Sequence, residues 1–444
     1  MIKNKPVFCA LPAVISAFLL GGPVFADGSI DALIHQKSLE LEPQVIAWRR
    51  DIHQHPELSN REFRTAKLVA QHLESLGLEV QTGIAHTGVV GILKGGKPGP
   101  VVALRADMDA LPVTEKVDLP FASKVTTTYQ NKEVGVMHAC GHDAHTAILM
   151  GVAKLLSEIR EDIPGTIKFI FQPAEEGAPA GEEGGAKLMI KEGVLGGKYK
   201  PEAIFGLHVF PEELNSIKYR PEGFLAASDE LYITVKGAQT HGSMPWRGID
   251  PIIISAQIMT ALQTIPSRQL DITKAPSVIT IGSVNGGVRG NIIPEVVEMQ
   301  GTIRTFDTGI RQQLLDHLER TVTHIAQSAG AKADVRIKPY APVTYNDPAL
   351  TEMMVPSLKK VVGEDKVSVS DRVMGAEDFA YYQREIPGFY FSLGVRKPGI
   401  APEDAAPNHS PYFYVDEAAL KTGVQALSTL ALDYLKMKTT QNAE

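Results

Sequence analysis

Four stretches of this chain share one pattern, and it restricts the fold more than any other feature of the sequence. In "PVVALRADMDALP" an apolar run from Val101 to Leu104 is followed by Asp107 and Asp109. In "GTIKFIFQPAEEG" the run reaches Phe171 and is followed by Glu175 and Glu176. "EAIFGLHVFP" ends its run in His208, and "GFYFSLGV" is a fourth strand of the same kind. Strands without a polar face must be covered on both sides, the condition of a largely parallel sheet in an α/β protein. The covering helices are legible as well. "SLELEPQVIAWRRDIHQHPELSNREFRTAKLVAQHLESLGLEV" reads as two helices around a Pro-containing turn, ending at Gly77 before a strand. After "VMHACGHDAHTAILMG", the residues Ile148, Leu149, Val152, Leu155, Leu156 and Ile159 are spaced for one apolar stripe on an amphipathic helix. In such sheets ligands sit beyond the carboxyl ends of the strands. Both acidic pairs and His208 fall there, with Glu176 and His208 expected to end neighbouring strands.

From about Ala227 the texture changes. "DELYITVKGAQTHGSMP", "PSVITIGSVNGG" and "VVEMQGTIRTFD" alternate apolar and polar residues, with the helical stretches "PIIISAQIMTALQTI" and "IRQQLLDHLERTVTHIAQSAG" between and after them. This is the pattern of a separate α+β unit, expected over residues 227–338, and "PVTYNDPAL" returns the chain to the first domain. The catalytic domain is therefore expected in two parts, residues 27–226 and 339–444, with the insertion acting as a lid.

Residues 1–26 stand apart. "MIKNKPVFCALPAVISAFLLGGPVFA" has Lys3 and Lys5, an apolar run from Val7 to Leu20 and then Val24-Phe25-Ala26, the makings of a secretory signal peptide. The run is short for a bilayer, and no later segment is apolar enough to span one; an uncleaved anchor is the alternative. The chain from about Asp27 is expected to be soluble and exported, to the periplasm if the source is a Gram-negative bacterium, without stable membrane insertion. The formal charge of −7 becomes −9 without Lys3 and Lys5, and that mild acidity argues against nucleic acid as a partner. Cys9 leaves with the leader. Cys140 then stands alone in an oxidising compartment, where an unpaired thiol calls for a ligand or a shield.

Cys140 and His142, two residues apart on a non-helical segment, offer a thiolate and an imidazole. With Glu176, His208 and the His409 of "NHSPYFYVDE" they make a set that suits zinc, manganese or a similar divalent ion. Ligands drawn from four distant segments beside a spare carboxylate, Glu175, describe an open catalytic site rather than a closed structural one. Each piece alone has a plainer reading: a solvated Glu-Glu loop, an Asp143 capping a helix among satisfied histidines, a hydrogen-bonded core His208. Their joint placement at strand ends favours a site.

The motifs "HQHPELS", "LRADMDALP", "MHACGHDAHTA", "FQPAEEG", "GLHV", "HGSMP", "GTIRTFD", "GAEDFAYY" and "NHSPYFYVDE" follow one another in an order that carries a resemblance. The chain resembles the dinuclear-metal amidohydrolases and aminoacylases among the metallopeptidases, the group that holds hippurate hydrolases and auxin-conjugate amidohydrolases and, more distantly, carboxypeptidases. The resemblance runs over essentially the whole chain after the leader. It implies an α/β catalytic domain like that of zinc aminopeptidases, a central mixed, mostly parallel sheet covered by helices, with an inserted α+β lid that also dimerises. It implies Cys140, His142, Glu176, His208 and His409 as ligands of two divalent metal ions per subunit, Mn2+ or Zn2+ with Co2+ and Ni2+ as alternatives. Glu175 takes the place of the general base. Asp107 and Asp109 lie where relatives carry a ligand and its orienting partner, and are read here, with Asp143 and His145, as support for the ligands. In the lid, His241 matches a histidine that steadies the oxyanion, commonly in the site of a partner subunit. Asn291, Arg304 and the Gly375 of "GAEDFAYY" match substrate-binding positions; an Arg suits a substrate carboxylate. Trp246 departs from the family, which often has histidine there, and so bears on the shape of the pocket.

The activity implied is amide hydrolysis of N-acyl amino acids, hippurate-like conjugates or small peptides by a homo-oligomer, a dimer or an assembly of dimers. Paired metals polarise the carbonyl and acidify water, and a carboxylate not held by metal must carry the proton to the leaving amine. Two rivals stand beside this reading. A cysteine hydrolase would use Cys140 as nucleophile with His142 or His145 as base, although residues so close in sequence make a poor pair. A two-lobed periplasmic metal-containing binding protein without catalysis would not need Glu175 beside Glu176.

Overall fold

The computed structural model describes Met1 and residues 30–441. The expected leader, with Cys9, lies outside the described residues apart from Met1. The apolar runs form one eight-stranded sheet in the order Glu79–Ile84, Gly88–Lys94, Pro164–Gln172, Lys97–Asp107, Ala203–Glu213, Gly388–Arg396, Ile217–Tyr219, Val367–Val369. Its four central strands are mutually parallel, and the antiparallel pairings lie toward the edges. The strands of Glu176 and His208 are not neighbours, because Lys97–Asp107 runs between them.

The helix His142–Glu158 departs from the expected single stripe. Every residue from His142 to Leu156 except Lys154 is buried. The sheet lies against one side, and the helices Ile30–Gln54 and Leu420–Gln441 cover the rest. A helix closed in on every side must be apolar all round, so its histidines and Asp143 are the exceptions that need partners. Gly151 sets the approach of the three helices: a Cβ there would stand 2.9 Å from Val45 and 2.8 Å from Val424.

Residues 227–341 build a second, fully antiparallel sheet in the order Ser277–Gly286, Val296–Thr305, Ala227–Lys236, Lys332–Ala341. Its fourth strand, absent from the sequence reading, runs three residues past 338. Alternation puts Leu231, Ile233 and Val235 on the covered face, where they meet the helices Pro251–Leu262 and Thr308–Ser328. Asp250 and Asp307 cap those helices by accepting from the backbone of Ile252 and Ile310. The chain enters and leaves through adjacent strands, with Ser228 paired to Ala341. Among the described residues, no helix is long and apolar enough to cross a membrane.

The first helix is tied to the buried one by charge. Arg49 Nε donates to Asp143 Oδ2 at 2.7 Å, and His53 Nδ1 lies 2.9 Å from the same oxygen. Both side chains are almost wholly buried. Removing Arg49 strips the buried Asp143 of its permanent cation and leaves His53 beside it, and breaking a buried pair costs about 3–5 kcal/mol. Arg49→Ala should lose that much stability in urea denaturation; a loss under about 1 kcal/mol would mean that Asp143 has other compensation.

Candidate metal and catalytic site

The site forms where the central strands run out. Asp107 ends its strand, with Asp109 two residues beyond. The strand Pro164–Gln172 gives way to a bend in which Ala174 takes the left-handed conformation at φ 53°. The bend turns Glu175 and Glu176 over the sheet edge. His208 lies inside its strand rather than at its end. The neighbour Lys97–Asp107 pairs with that strand only as far as Gly206, so the strand runs on to Glu213 along Gly388–Arg396 alone. His409 arrives from the C-terminal segment, also with a positive φ of 69°, its N–H bonded to the Ala139 carbonyl. Two non-glycine residues held in this region mark a strained backbone that the surroundings must hold in place.

These segments bring together all five candidate ligands. Cys140 Sγ lies 3.4 Å from His208 Nε2 and 3.3 Å from His409 Nε2. Glu176 Oε1 is 3.0 Å from His409 Nε2 without a well-directed hydrogen bond, and His142 Nε2 is 3.9 Å from Glu175 Oε2. Tautomers follow from the acceptors. His142 Nδ1 faces the Asp109 carbonyl at 2.9 Å and His208 Nδ1 the Val209 carbonyl at 2.9 Å. Each must donate there, which turns the Nε2 lone pair of the neutral ring toward the thiol and carboxylates. With the rings neutral and the thiol ionised, the forms that bind metal, acceptors face acceptors, and His142 Nε2 and Glu176 Oε1 are buried without a hydrogen-bond partner. That is the arrangement a cation resolves, and a soft thiolate with imidazoles and carboxylate fits a divalent transition ion or zinc.

Titration directions express the same imbalance. Burial pushes the Cys140 thiol well above its ordinary range, and the charges of Glu176 and Glu175 push the same way. A nucleophilic cysteine needs the opposite. Burial lowers His142, but Asp107 and Asp109 outweigh it and carry the ring up to about 10. Burial and the carboxylates of Glu377 and Glu176 hold Glu175 well above the usual carboxylate range.

Support for the ligands comes from Asp109, Asp107 and His145. The Asp109 carboxylate accepts from the backbone N–H of Glu175 at 3.1 Å and of Glu176 at 3.0 Å, and from Ser59 Oγ at 2.8 Å. Its Oδ1 lies 3.2 Å from His142 Nδ1. Asp107 takes Nδ1 of His145 at 2.7 Å, while His145 Nε2 accepts from the Val209 N–H at 2.9 Å. With both nitrogens engaged, His145 has no lone pair for a metal. Asp143 is not part of this shell, since its bonded oxygen faces Arg49 and His53.

The expected substrate-binding and oxyanion residues separate into two groups. Arg304, from the inserted unit, and Gly375, from the C-terminal part of the catalytic domain, line a cavity of about 420 Å3 together with Cys140, Glu175, Glu176, His208 and His409. Arg304 Nη1 donates to Ser228 Oγ, Thr302 Oγ1 and the Ile303 carbonyl, and among the described residues it has no carboxylate partner. Burial lowers its pKa. His241 and Asn291 are exposed and lie outside that cavity; His241 is on Thr240–His241, and Asn291 directly precedes the segment Ile292–Ile293 that pairs with it. Trp246, 77% exposed, lies outside it too.

The sequence reading passed over Arg105, Glu377, Asp378 and Tyr340. Fully buried Arg105 donates to Asp107, Glu377, Asp378 and Gln172, and Tyr340 Oη donates to the Glu175 carbonyl at 2.8 Å. An arginine inside an otherwise apolar strand was the available signal, because a buried charge implies partners.

Comparison with known proteins sets this geometry in context. The model of peptidase family M20/M25/M40 matches residues 103–433. Thermostable carboxypeptidase 2 of Saccharolobus solfataricus is 43% identical over 402 residues, covering 89% of this chain and 96% of its own length. N-acetylcysteine deacetylase of Bacillus subtilis is 38% identical over 88% of this chain and 97% of its own length. A Bacillus subtilis crystal structure, of a dinuclear metal-binding peptidase of the M20 family, superposes with a TM-score of 0.73 at 36% identity, over 90% of this chain and 99% of that one.

If Cys140 is a ligand, Cys140→Ser replaces a thiolate by a hydroxyl that stays protonated. Divalent-ion affinity should fall by about a hundred-fold or more, since losing even a ligand's hydrogen-bond partner costs ten- to a hundred-fold. Metal analysis and calorimetric titration check this, and unchanged affinity would remove Cys140 from the ligand set.

Proposed function

The chain belongs to peptidase family M20/M25/M40, and from that premise we propose that it hydrolyses the amide bond of N-acyl amino acids, hippurate-like conjugates or small peptides, with Glu175 as general base. Family membership makes it a metal-dependent hydrolase of amides. One observation above all supports the finer reading. Glu175 is buried beside the candidate ligands and opens on the cavity, yet among the described residues no lysine or arginine pairs with it. A carboxylate so placed is free to move protons. Two divalent ions, held by Cys140, His142, Glu176, His208 and His409, would polarise the amide carbonyl and acidify water when bound. Glu175 takes the water's proton as the oxygen adds to the carbonyl carbon, then delivers it to the nitrogen as the C–N bond breaks. The Asp378 N–H, 3.4 Å from Glu175 Oε1, aims the carboxylate.

The unpaired Arg304 guanidinium supports a substrate with a free carboxylate, met bidentately. Phe210, Leu225 and Val373 on the cavity wall favour an apolar acyl group or side chain. The names of the carboxypeptidase and deacetylase relatives agree with both. The makeup of residues 1–26 supports export.

Glu175→Gln should bind metal as the wild type does and lose about a hundred- to ten-thousand-fold in kcat. Turnover near wild type at full metal occupancy would sink the assignment. A binding protein would show no turnover in any variant, and no loss of it to a chelator.

His241 lies outside the cavity of its own chain, which supports action in a second copy. The lid offers a surface for one: Ile252, Ile253, Val278 and Val284 are exposed, the last two on the edge strand Ser277–Gly286. His241→Ala and Glu175→Gln proteins should each be nearly inactive. Mixed in equal amounts they should regain up to about a quarter of wild-type activity, because one site of each mixed two-fold dimer carries both intact residues. Tagged mixed dimers without rescue would rule out action across subunits.

A further inference from the structure

Apart from the Ser59 hydroxyl on Asp109, the motif "HPELSNRE" has no role in the chemistry above, yet it packs directly under the catalytic bend. Glu62, the last residue of that motif, precedes the helix Phe63–Ser75 in the N-cap position, but its side chain makes no cap. Glu57 does that work instead, accepting from the N–H groups of Arg64 and Thr65, both at 2.9 Å. The Glu62 carboxylate turns inward and is fully buried. Its Oε1 accepts from the N–H of Ala174 at 2.9 Å and of Asn60 at 3.0 Å, and its Oε2 from Thr87 Oγ1 at 2.5 Å. No lysine, arginine or histidine pairs with it among the described residues.

Ala174 is the bend's strained residue. The N–H groups of residues 174, 175 and 176 all point to carboxylates, the first to Glu62 and the next two to Asp109. Asp109 is engaged with the ligand His142 as well. Glu62 is engaged with no ligand and does not line the cavity. A left-handed alanine costs of order 1–3 kcal/mol and persists only while its surroundings hold it. Among the described residues, the one hydrogen bond at the Ala174 N–H is that to Glu62.

We propose that Glu62 is a positioning residue, whose bond to the Ala174 N–H locks the bend that directs Glu175 into the cavity and Glu176 toward Cys140 and His409. The proposal rests on Glu175 being the general base. Glu62 acts through reach and hydrogen bonding, not through its charge, and touches neither substrate nor metal.

Two variants separate these properties in the metal-loaded enzyme. Glu62→Gln keeps the acceptor where it is and removes the charge. Glu62→Asp keeps the charge and withdraws the acceptor by one methylene. Positioning requires kcat of Glu62→Asp to fall by about a hundred-fold, the scale of a misplacement near 1 Å, with KM within about twofold of wild type. Glu62→Gln should stay at least roughly tenfold above Glu62→Asp in kcat. In hydrogen exchange of the metal-free protein, the peptide spanning the bend should be protected in wild type and Glu62→Gln and exposed in Glu62→Asp. The reverse order of the two variants overturns the proposal, and so does wild-type kcat in both with only a lowered melting temperature. Should Glu62→Asp not fold, Thr87→Val removes the hydroxyl that holds Oε2. There kcat must drop with KM unchanged, and wild-type kcat overturns the proposal. Failure of the base assignment is read separately: an active Glu175→Gln refutes that assignment whatever the Glu62 variants do.

Discussion

The Arg105 guanidinium lies wholly buried in a central strand and touches Asp107 at 2.5 Å, Asp378 at 2.8 Å and Glu377 at 3.0 Å. Among the described residues, no other arginine or lysine pairs with these three carboxylates. Asp109, Glu175, Glu176 and Glu62 lie beyond its reach, held by backbone N–H groups, hydroxyls and imidazoles. Even Asp378, which Arg105 touches, is pushed up to about 7 by burial, against the pull of Arg105 and with the help of Glu377. Isolated anions are expensive in an interior. The fold gathers more negative charge at the sheet end than its own cations balance, and the ligand cluster faces into that excess. Divalent cations bound there would complete the balance, so that binding metal and holding the strand ends together would be one electrostatic task.

Much of this was readable from residues. Apolar runs interrupted by Asp107, Glu175 and His208 placed a parallel sheet and its working end, because only a strand covered on both faces can lack a polar side. Cys140, His142, Glu176, His208 and His409 converge in space as their types suggested. What escaped the sequence were facts of spatial order. Strand sequence does not state which strand lies between two others, so the separation of Glu176 from His208 by Lys97–Asp107 was missed. Hydrophobic spacing does not state how many neighbours a helix has, and His142–Glu158 proved buried all round. Asp143 sits beside the candidate ligand His142 in sequence, but on a helix adjacent residues point in different directions, and it serves Arg49 instead.

The two sheets meet at the chemistry. Arg304 and Tyr340 reach the cavity from the lid, Tyr340 one residue short of the end of the lid's last strand. Its hydroxyl holds the Glu175 carbonyl, while Tyr381 Oη holds the Tyr340 carbonyl from the catalytic side. The segment from Ala174 to Glu176 is thus held at three places: Glu62 takes the Ala174 N–H, Asp109 takes the N–H groups of Glu175 and Glu176, and Tyr340 takes the Glu175 carbonyl.

The parallel pairing of Ala203–Glu213 with Gly388–Arg396 has a further consequence, for the order in which the molecule can assemble. These two central strands flank the whole inserted unit, so their contact closes a loop containing the entire lid. Closing so long a loop carries an entropic cost before any contact offsets it. The lid's own sheet and helices come from one contiguous stretch and carry no such burden. During synthesis the lid can therefore fold while the catalytic sheet still lacks a central strand, and that sheet must wait for "GFYFSLGV" to leave the ribosome. Until then the edge of Ala203–Glu213, with His208 on it, is an open strand with unpaired backbone, the element most exposed to mispairing. A lid that folds early shortens the effective distance between the waiting strands, because its entry and exit strands are adjacent and bring Ser228 and Ala341 side by side.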